Sequence, residues 1–349
     1  MAGKHKPDCG EAVQMMQSIP EDPYAFARVS VMKSVLLDKS DYDKLLKMQQ
    51  NEIIKTLQDK GYAEDISAVD SKYKGSALVE RALAKNLERT YKKLRRITNE
   101  QLSYVIQIYL DRNDSWNVRN VLRGIQSGRK EGVEELLLPV GRIKKEELLE
   151  MLKKTSVKDV ISHMKIFGKS EFSDLSEAED FLTKKYYENA MKEAESLPEQ
   201  GESMREFIMA EIRTINIMTV MKMKAANIPQ DAIEKKIIGP KESLIKTLIA
   251  APNTEACFEI LSKTDYKPAS EEGKKNWQEN GKLTGIETAL YRQLLRKNLS
   301  AVHRDILSPN LILGYLFAKQ IEAKNIRLIS KGKELGVEPA FVEKELIIA

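Results

Sequence analysis

The sequence predicts an all-helical protein assembled from three copies of one unit, and three observations carry that expectation. Helix breakers are scarce, with 17 glycines and 11 prolines in 349 residues, while Glu, Lys, Leu, Ala and Met, which lose little on entering a helix, are abundant. No segment alternates apolar and polar residues between turn signals as a half-buried strand does. An asparagine also recurs inside well-patterned amphipathic stretches: Asn117 in SWNVRNVL, Asn216 in TINIMTVM and Asn325 in AKNIRLIS.

Asparagine is a poor helix-interior residue because its amide competes for nearby backbone groups, so its recurrence marks a common role. The three lie 99 and 109 residues apart. Each is followed directly by an aliphatic residue (Val118, Ile217, Ile326), with another four positions after the Asn (Val121, Val220, Ile329). Upstream, Glu80, Glu179 and Glu287 each open the pattern E-x-x-L-x-[KR], 37, 37 and 38 residues before their asparagine. Downstream, VEELL, IEKKI and VEKEL begin at Val133, Ile233 and Val342, 16, 17 and 17 residues after it. Anchors in one order at nearly constant spacing are the signature of internal repeats. The expected division is an N-terminal extension, 1–19, followed by helical repeats 20–137, 138–237 and 238–349.

Each repeat reads as helices throughout. Its first segment is expected to be a helical hairpin: VMKSVLLDKSDYDKLLKM, EELLEMLKKTSVKDVISHM and ESLIKTLIAAPNTEACFEIL. Ser176 and Thr284 stand three residues before Glu179 and Glu287, a spacing that predicts capping boxes; before Glu80 that position is Ala77, with Ser76 one further back. The repeated glutamates are therefore expected to be structural. The first Asn-bearing helix is expected to start at Thr98, with Gln101 completing a capping box, and Leu102, Val105, Ile106, Tyr109 and Leu110 keep helical period. PEQGES, from Pro198 to Ser203, reads as a linker, and the polar, glycine-containing stretch 267–285 reads as a mobile loop. The asparagines are expected to be buried amides that fix how helices register, since one ligand would rarely need all three.

The composition excludes several function classes. Net charge is +5, from 57 basic and 52 acidic side chains, too balanced for a dedicated nucleic-acid binder. Cys9 and Cys257 form no CxxC pair and suit a reducing compartment. His5, His163 and His303 are scattered and offer no metal-ligand spacing. No G-x-G-x-x-G or Walker pattern provides a nucleotide cradle. HRDILSPN, from His303 to Asn310, imitates a kinase catalytic loop, but no Gly-rich loop precedes it and no D-F-G follows. It reads as a helix end, with Pro309 near the start of the next helix. No catalytic, cofactor-binding or metal-binding residue is expected. The N-terminus carries no apolar signal region, and the most apolar run, LILGYLFA, is far too short to span a bilayer. A membrane role would be exerted from the surface.

Two stretches resemble a known family. DPYAFARVSVMKSVLLDKSDYDKLL, from Asp22 to Leu46, and GYLFAKQIEAKNIRLISKGKELGV, from Gly314 to Val337, resemble the terminal signatures of the C subunit of archaeal-type and vacuolar-type ATP synthases, a relative of the d subunit of V-ATPases. In the second repeat the motif has drifted, with Arg213 where Asp114 and Glu322 stand in the others. The resemblance implies an all-α, funnel-shaped, pseudo-threefold protein on the cytoplasmic face of a membrane. It implies a non-catalytic rotor component that joins the central-stalk subunits to the proteolipid ring and binds no nucleic acid or nucleotide of its own. A helical-repeat adaptor is the alternative; units of about 34 to 47 residues are usual for such solenoids, and these are more than twice that.

Overall fold

The computed structural model describes residues 22–163, 172, 174–198, 201–304 and 308–349. Every regular element among them is helical. In chain order these are α1 (Pro23–Ser34), α2 (Lys39–Lys47), α3 (Gln50–Leu57), α4 (Ala63–Ser67), α5 (Gly75–Ile97), α6 (Glu100–Leu110), α7 (Arg112–Gln126), α8 (Lys145–Lys153), α9 (Val157–His163), α10 (Leu175–Ser196), α11 (Glu202–Ala225), α12 (Gln230–Lys236), α13 (Ser243–Ala250), α14 (Thr254–Leu261), α15 (Lys267–Asn280), α16 (Thr284–Arg304), α17 (Pro309–Glu334) and α18 (Pro339–Glu345). A π-helical turn joins α3 to α4, and a 3₁₀ turn covers Glu134–Leu136. No helix among the described residues is long and apolar enough to cross a membrane.

The chain forms two compact units. One takes the described parts of Met1–Ser34, Leu87–Ile208 and Val302–Tyr315; the other takes Val35–Asn86, Met209–Ala301 and Leu316–Ala349. In the first, Val118, Val121 and Leu122 of α7 pack with Leu148 and Met151 of α8, Val160 of α9 and Leu182 of α10. In the second, Ile217, Val220 and Met221 of α11 pack with Ile245 and Leu248 of α13, Phe258 and Leu261 of α14, and Ile286 and Leu290 of α16. The two cores use one recipe. An Asn-bearing helix supplies the aliphatic residues one and four positions after its Asn, and a short hairpin and a Glu-bearing helix close over them. Removing this much apolar surface from water is the main stabilising contribution.

Local chemistry sets the element ends. The Asn-bearing helices stop at a residue in the left-handed conformation eleven positions after the Asn: Gly128 (φ 68°), Asn227 (φ 56°) and Gly336 (φ 66°). Glycine, and next to it asparagine, tolerates that backbone at a helix C-terminus. Behind the last two, the amides of Ile228 and Val337 return to the carbonyls of Met223 and Gly332, each at 2.9 Å, the six-to-one bond of a Schellman stop.

Several expected boundaries move. The first hairpin is α2–α3; the segment VMKSVLL instead completes α1 and the turn after it. The first Asn-bearing helix breaks at Asp111 into α6 and α7, and its N-cap is Asn99, whose side chain accepts Leu102 N–H. Thr98 lies one residue too early and donates back to Leu94 C=O. The cap of α10 is Asp174, which accepts Glu177 N–H, in place of Ser176. The stretch 267–285 is mostly the helix α15, with Pro268 in its first turn and Gly281 at its left-handed stop.

Candidate functional site

The repeated positions converge on three junctions of one design. Asn117 donates to Leu138 C=O and accepts Leu138 N–H, both at 2.7 Å. Asn216 does the same with Ile238 at 2.9 and 3.0 Å, and Asn325 with Ile347 at 2.8 and 3.0 Å. All three amides are essentially fully buried. Each clips the residue five positions after Val133, Ile233 or Val342, the start of the downstream anchor. A primary amide matches a peptide group donor for acceptor, so one side chain satisfies a buried N–H and C=O that no helix or sheet serves. Asparagine does so without needing a bound proton, as a carboxylic acid of the same size would.

The repeated glutamates bind cations on Asn-bearing helices. Glu179 receives Arg123 through two bonds of 2.6 Å. Glu287 pairs with Lys222 at 2.7 Å. Glu80 pairs with Arg327 at 3.5 Å. Arg123 and Lys222 both stand six residues after their Asn. The order of the pairs matters more than their strength, which is small at such exposure. The second Glu meets the first Asn helix, the third Glu meets the second, and the first Glu meets the third.

The position three residues before each Asn repeats that cyclic order. Asp114 accepts the backbone N–H of Arg142 at 2.7 Å and of Ile143 at 3.2 Å, just ahead of α8. Arg213 donates twice, at 2.6 and 2.7 Å, to Glu242, the residue ahead of α13. Glu322 accepts Leu37 N–H at 2.6 Å, just ahead of α2. In sequence Arg213 reads as drift. In the structure the acid has crossed to the other partner: at Glu242 it serves the same junction with the polarity reversed. The signal was available, because Glu242 aligns with the positions preceding the hairpins.

The charge six residues before each Asn completes the contrast. Beside Glu322 stands Lys319, whose ammonium lies 2.6 Å from the carboxylate and 2.9 Å from Tyr62 Oη; both ions are buried. Tyr62 in turn donates to Glu322 at 2.5 Å. Beside Arg213 stands the neutral Ala210. Beside Asp114 stands a second acid, Asp111. A cavity of about 260 Å³ opens there, lined by Asp111, Asp114, Arg142, Glu147, Tyr186 and Glu193 among others. Arg142 reaches Asp111 at 2.8 Å and Glu193 at 2.5 Å. Burial pushes Asp111 up to about 6, against the pull of Arg142 and of the Gln107 amide. Burial also pushes Asp114 up to about 7, with the Asp111 charge adding to it and the two backbone N–H bonds opposing. Burial works against the charge on Arg142, but Asp111 and Glu193 outweigh it and hold the guanidinium above its ordinary range.

Among the described residues no group of His, Cys, Asp and Glu could hold a metal ion. The side chains of His5, His163 and His303, and Asp305 of the kinase-like stretch, lie outside the described residues, as does Cys9; Pro309 opens α17. Cys257 is a buried thiol that burial pushes up to about 11, which suits packing rather than reactivity.

Comparison with known proteins gives one consistent result. The family model described as ATP synthase (C/AC39) subunit matches residues 25–345. The chain is 32% identical to the A-type ATP synthase C subunit of Methanosarcina mazei over 336 residues, covering 93% of this chain and 92% of that protein. It is 30% identical to the protein of the same name from Methanosarcina barkeri, covering 93% and 92%. Identity to the counterpart from Haloquadratum walsbyi is 28%, covering 93% and 97%.

Proposed function

Because the chain belongs to the ATP synthase (C/AC39) subunit family, we propose that it is the non-catalytic coupler between the central stalk and the membrane proteolipid ring of an A-type or V-type ATP synthase. It does its work as a peripheral protein on the cytoplasmic side, in three helical repeats, 20–137, 138–237 and 238–349, set in a pseudo-threefold funnel. The observation that carries this reading is the cyclic order of the junctions, in which Glu322 of the last repeat returns to Leu37 of the first. A coupler of this kind needs repeated, rigid attachments that resist shear, and buried polar clips with fixed donor and acceptor geometry provide them. It needs no active site. Torque passed to two partners also calls for contacts spread over broad surfaces in place of one deep pocket.

The test is recovery of the complex. A tagged chain expressed in its native cell, with membranes dissolved in mild detergent, is expected to bring down nucleotide-hydrolysing subunits and the ring protein together. Recovery of neither would exclude the coupler role. An elongated superhelix in small-angle scattering of the purified chain would exclude the funnel and favour the adaptor.

A further inference from the structure

The three junctions fasten the chain ahead of a hairpin with different charge, two through a backbone N–H and one through the Glu242 side chain, and only one of them concentrates carboxylates. At Glu322 the buried acid has its own ammonium, Lys319. At Glu242 one acid faces one guanidinium, Arg213. At Asp114 the carboxylates of Asp111 and Asp114 share the cavity wall with Glu193 and Glu147, and Arg142 is the one cation among its described lining residues.

We propose that the junction between the start of α7 and the chain leading into α8 is a proton-controlled latch, closed while Asp111 and Asp114 retain protons and loosened when both are charged.

The geometry bears this out from every side. On the α7 side, Asp114 is buried and holds the Arg142 and Ile143 amides, while Asp111 sits half-buried beside it. Arg112, next to them, lays its guanidinium over the Tyr109 ring at 3.7 Å and donates to Tyr186 Oη at 3.0 Å. From α6, Gln107 donates to Asp111 at 2.7 Å and Tyr104 donates to Glu193 at 3.0 Å. From α10 comes Glu193, and from the α8 side come Arg142 and Glu147. Arg142 makes its two ion pairs with Asp111 and Glu193 and meets Asp114 through its backbone N–H, so its charge offsets only part of the burial at Asp114. The adjoining cavity gives water a place to enter when the carboxylates must be solvated.

The sign follows from the raised proton affinities. Both acids bind protons more tightly in the closed junction than when exposed, where an aspartate titrates near 4. Closure is therefore fully supported below about pH 4, and that support is lost as pH rises through about 6 and 7. The Arg213–Glu242 junction, one acid on one guanidinium, stays closed over this range. The latch is a property of the isolated chain and stands or falls apart from the coupler role.

Hydrogen exchange of the purified full chain tests it, with amide rates from pH 4.5 to 8 expressed as protection factors so that intrinsic exchange is removed. Protection at Arg142 and Ile143 is expected to fall at least tenfold between pH 5 and pH 7.5 and then level off. Protection through Ser243–Ala250 is expected to change less than twofold. Asp114→Asn keeps an acceptor for the amides without the charge and is expected to flatten the fall. Asp111→Asn, which touches no backbone amide, is expected to reduce it and serves if Asp114→Asn fails to fold. A flat profile in the native chain would overturn the proposal, as would an unaltered fall in the variants or an equal fall at Ser243–Ala250.

Discussion

The carboxylate of Glu322 accepts the backbone N–H of Leu37, joining positions 285 residues apart, while Lys319 holds the same carboxylate from one turn away. The pair is buried, so each ion depends on the other. Lys319→Met is expected to destabilise the protein by about 3–5 kcal/mol, the usual consequence of leaving a buried charge uncompensated. Lys319→Met combined with Glu322→Gln removes both charges and is expected to recover most of that loss. Urea unfolding of the two single variants and the double completes the cycle. A double variant destabilised by the sum of the two single losses would mean that the ions act independently.

The asparagine clips should be interchangeable in effect. Asn325→Leu leaves the Ile347 N–H and C=O buried without partners, and each orphaned group costs about 1–3 kcal/mol. Asn117→Leu and Asn216→Leu should cost similar amounts through Leu138 and Ile238. Matched losses of midpoint in denaturant, with raised amide exchange confined to the clipped residue, would establish the common role. A variant of unchanged stability would remove it.

Reversed polarity at the Arg213–Glu242 junction makes a charge-swap experiment informative. Both side chains are partly exposed, so losing the pair should cost only about 1 kcal/mol. Arg213→Glu should cost more, because two carboxylates then face each other. Arg213→Glu with Glu242→Arg should restore stability to near the native value, measured by thermal unfolding at low and high salt. A swap no better than the single variant would show that the surroundings, rather than the pair, set the polarity.

Gly141 is required by close approach. A Cβ built there runs into the Asp114 carboxylate, so Gly141→Ala should push the α8 lead-in away from α7. The expected cost is about 1–3 kcal/mol, as for other overpacked sites. Amide exchange at Ile143 reports the displacement in Gly141→Ala, where the Asp114 acceptor is kept; a rate equal to that of the native chain would count against it.

Much of this architecture is legible in the residues, and the failures are physical. Helix content follows from composition, and Asn117, Asn216 and Asn325 mark equivalent positions because a buried amide is costly unless it has work to do. Capping boxes read into Ser176–Glu179 and Thr98–Gln101 miss because Asp174 and Asn99, equally good caps, stand nearby and win. Glu179 thereby becomes available to Arg123, a partner 56 residues away that no local pattern reveals. The stretch 267–285 looks like a loop because it is polar and contains Gly273. In the fold Gly273 is a contact, since a Cβ there would strike Ile286, and Ser270 donates to Phe258 C=O at 2.7 Å. Composition could not tell a glycine that breaks a helix from one that lets two helices touch.

The bond between Glu322 and Leu37 also fixes a schedule. A ribosome adding about 5–20 residues per second needs roughly 15–60 s to deliver Glu322 after Leu37 has emerged. Throughout that interval the amide of Leu37 awaits an acceptor that has not been made. The early helices must therefore be held by their own short-range packing, or by a chaperone, until Glu322 has been made.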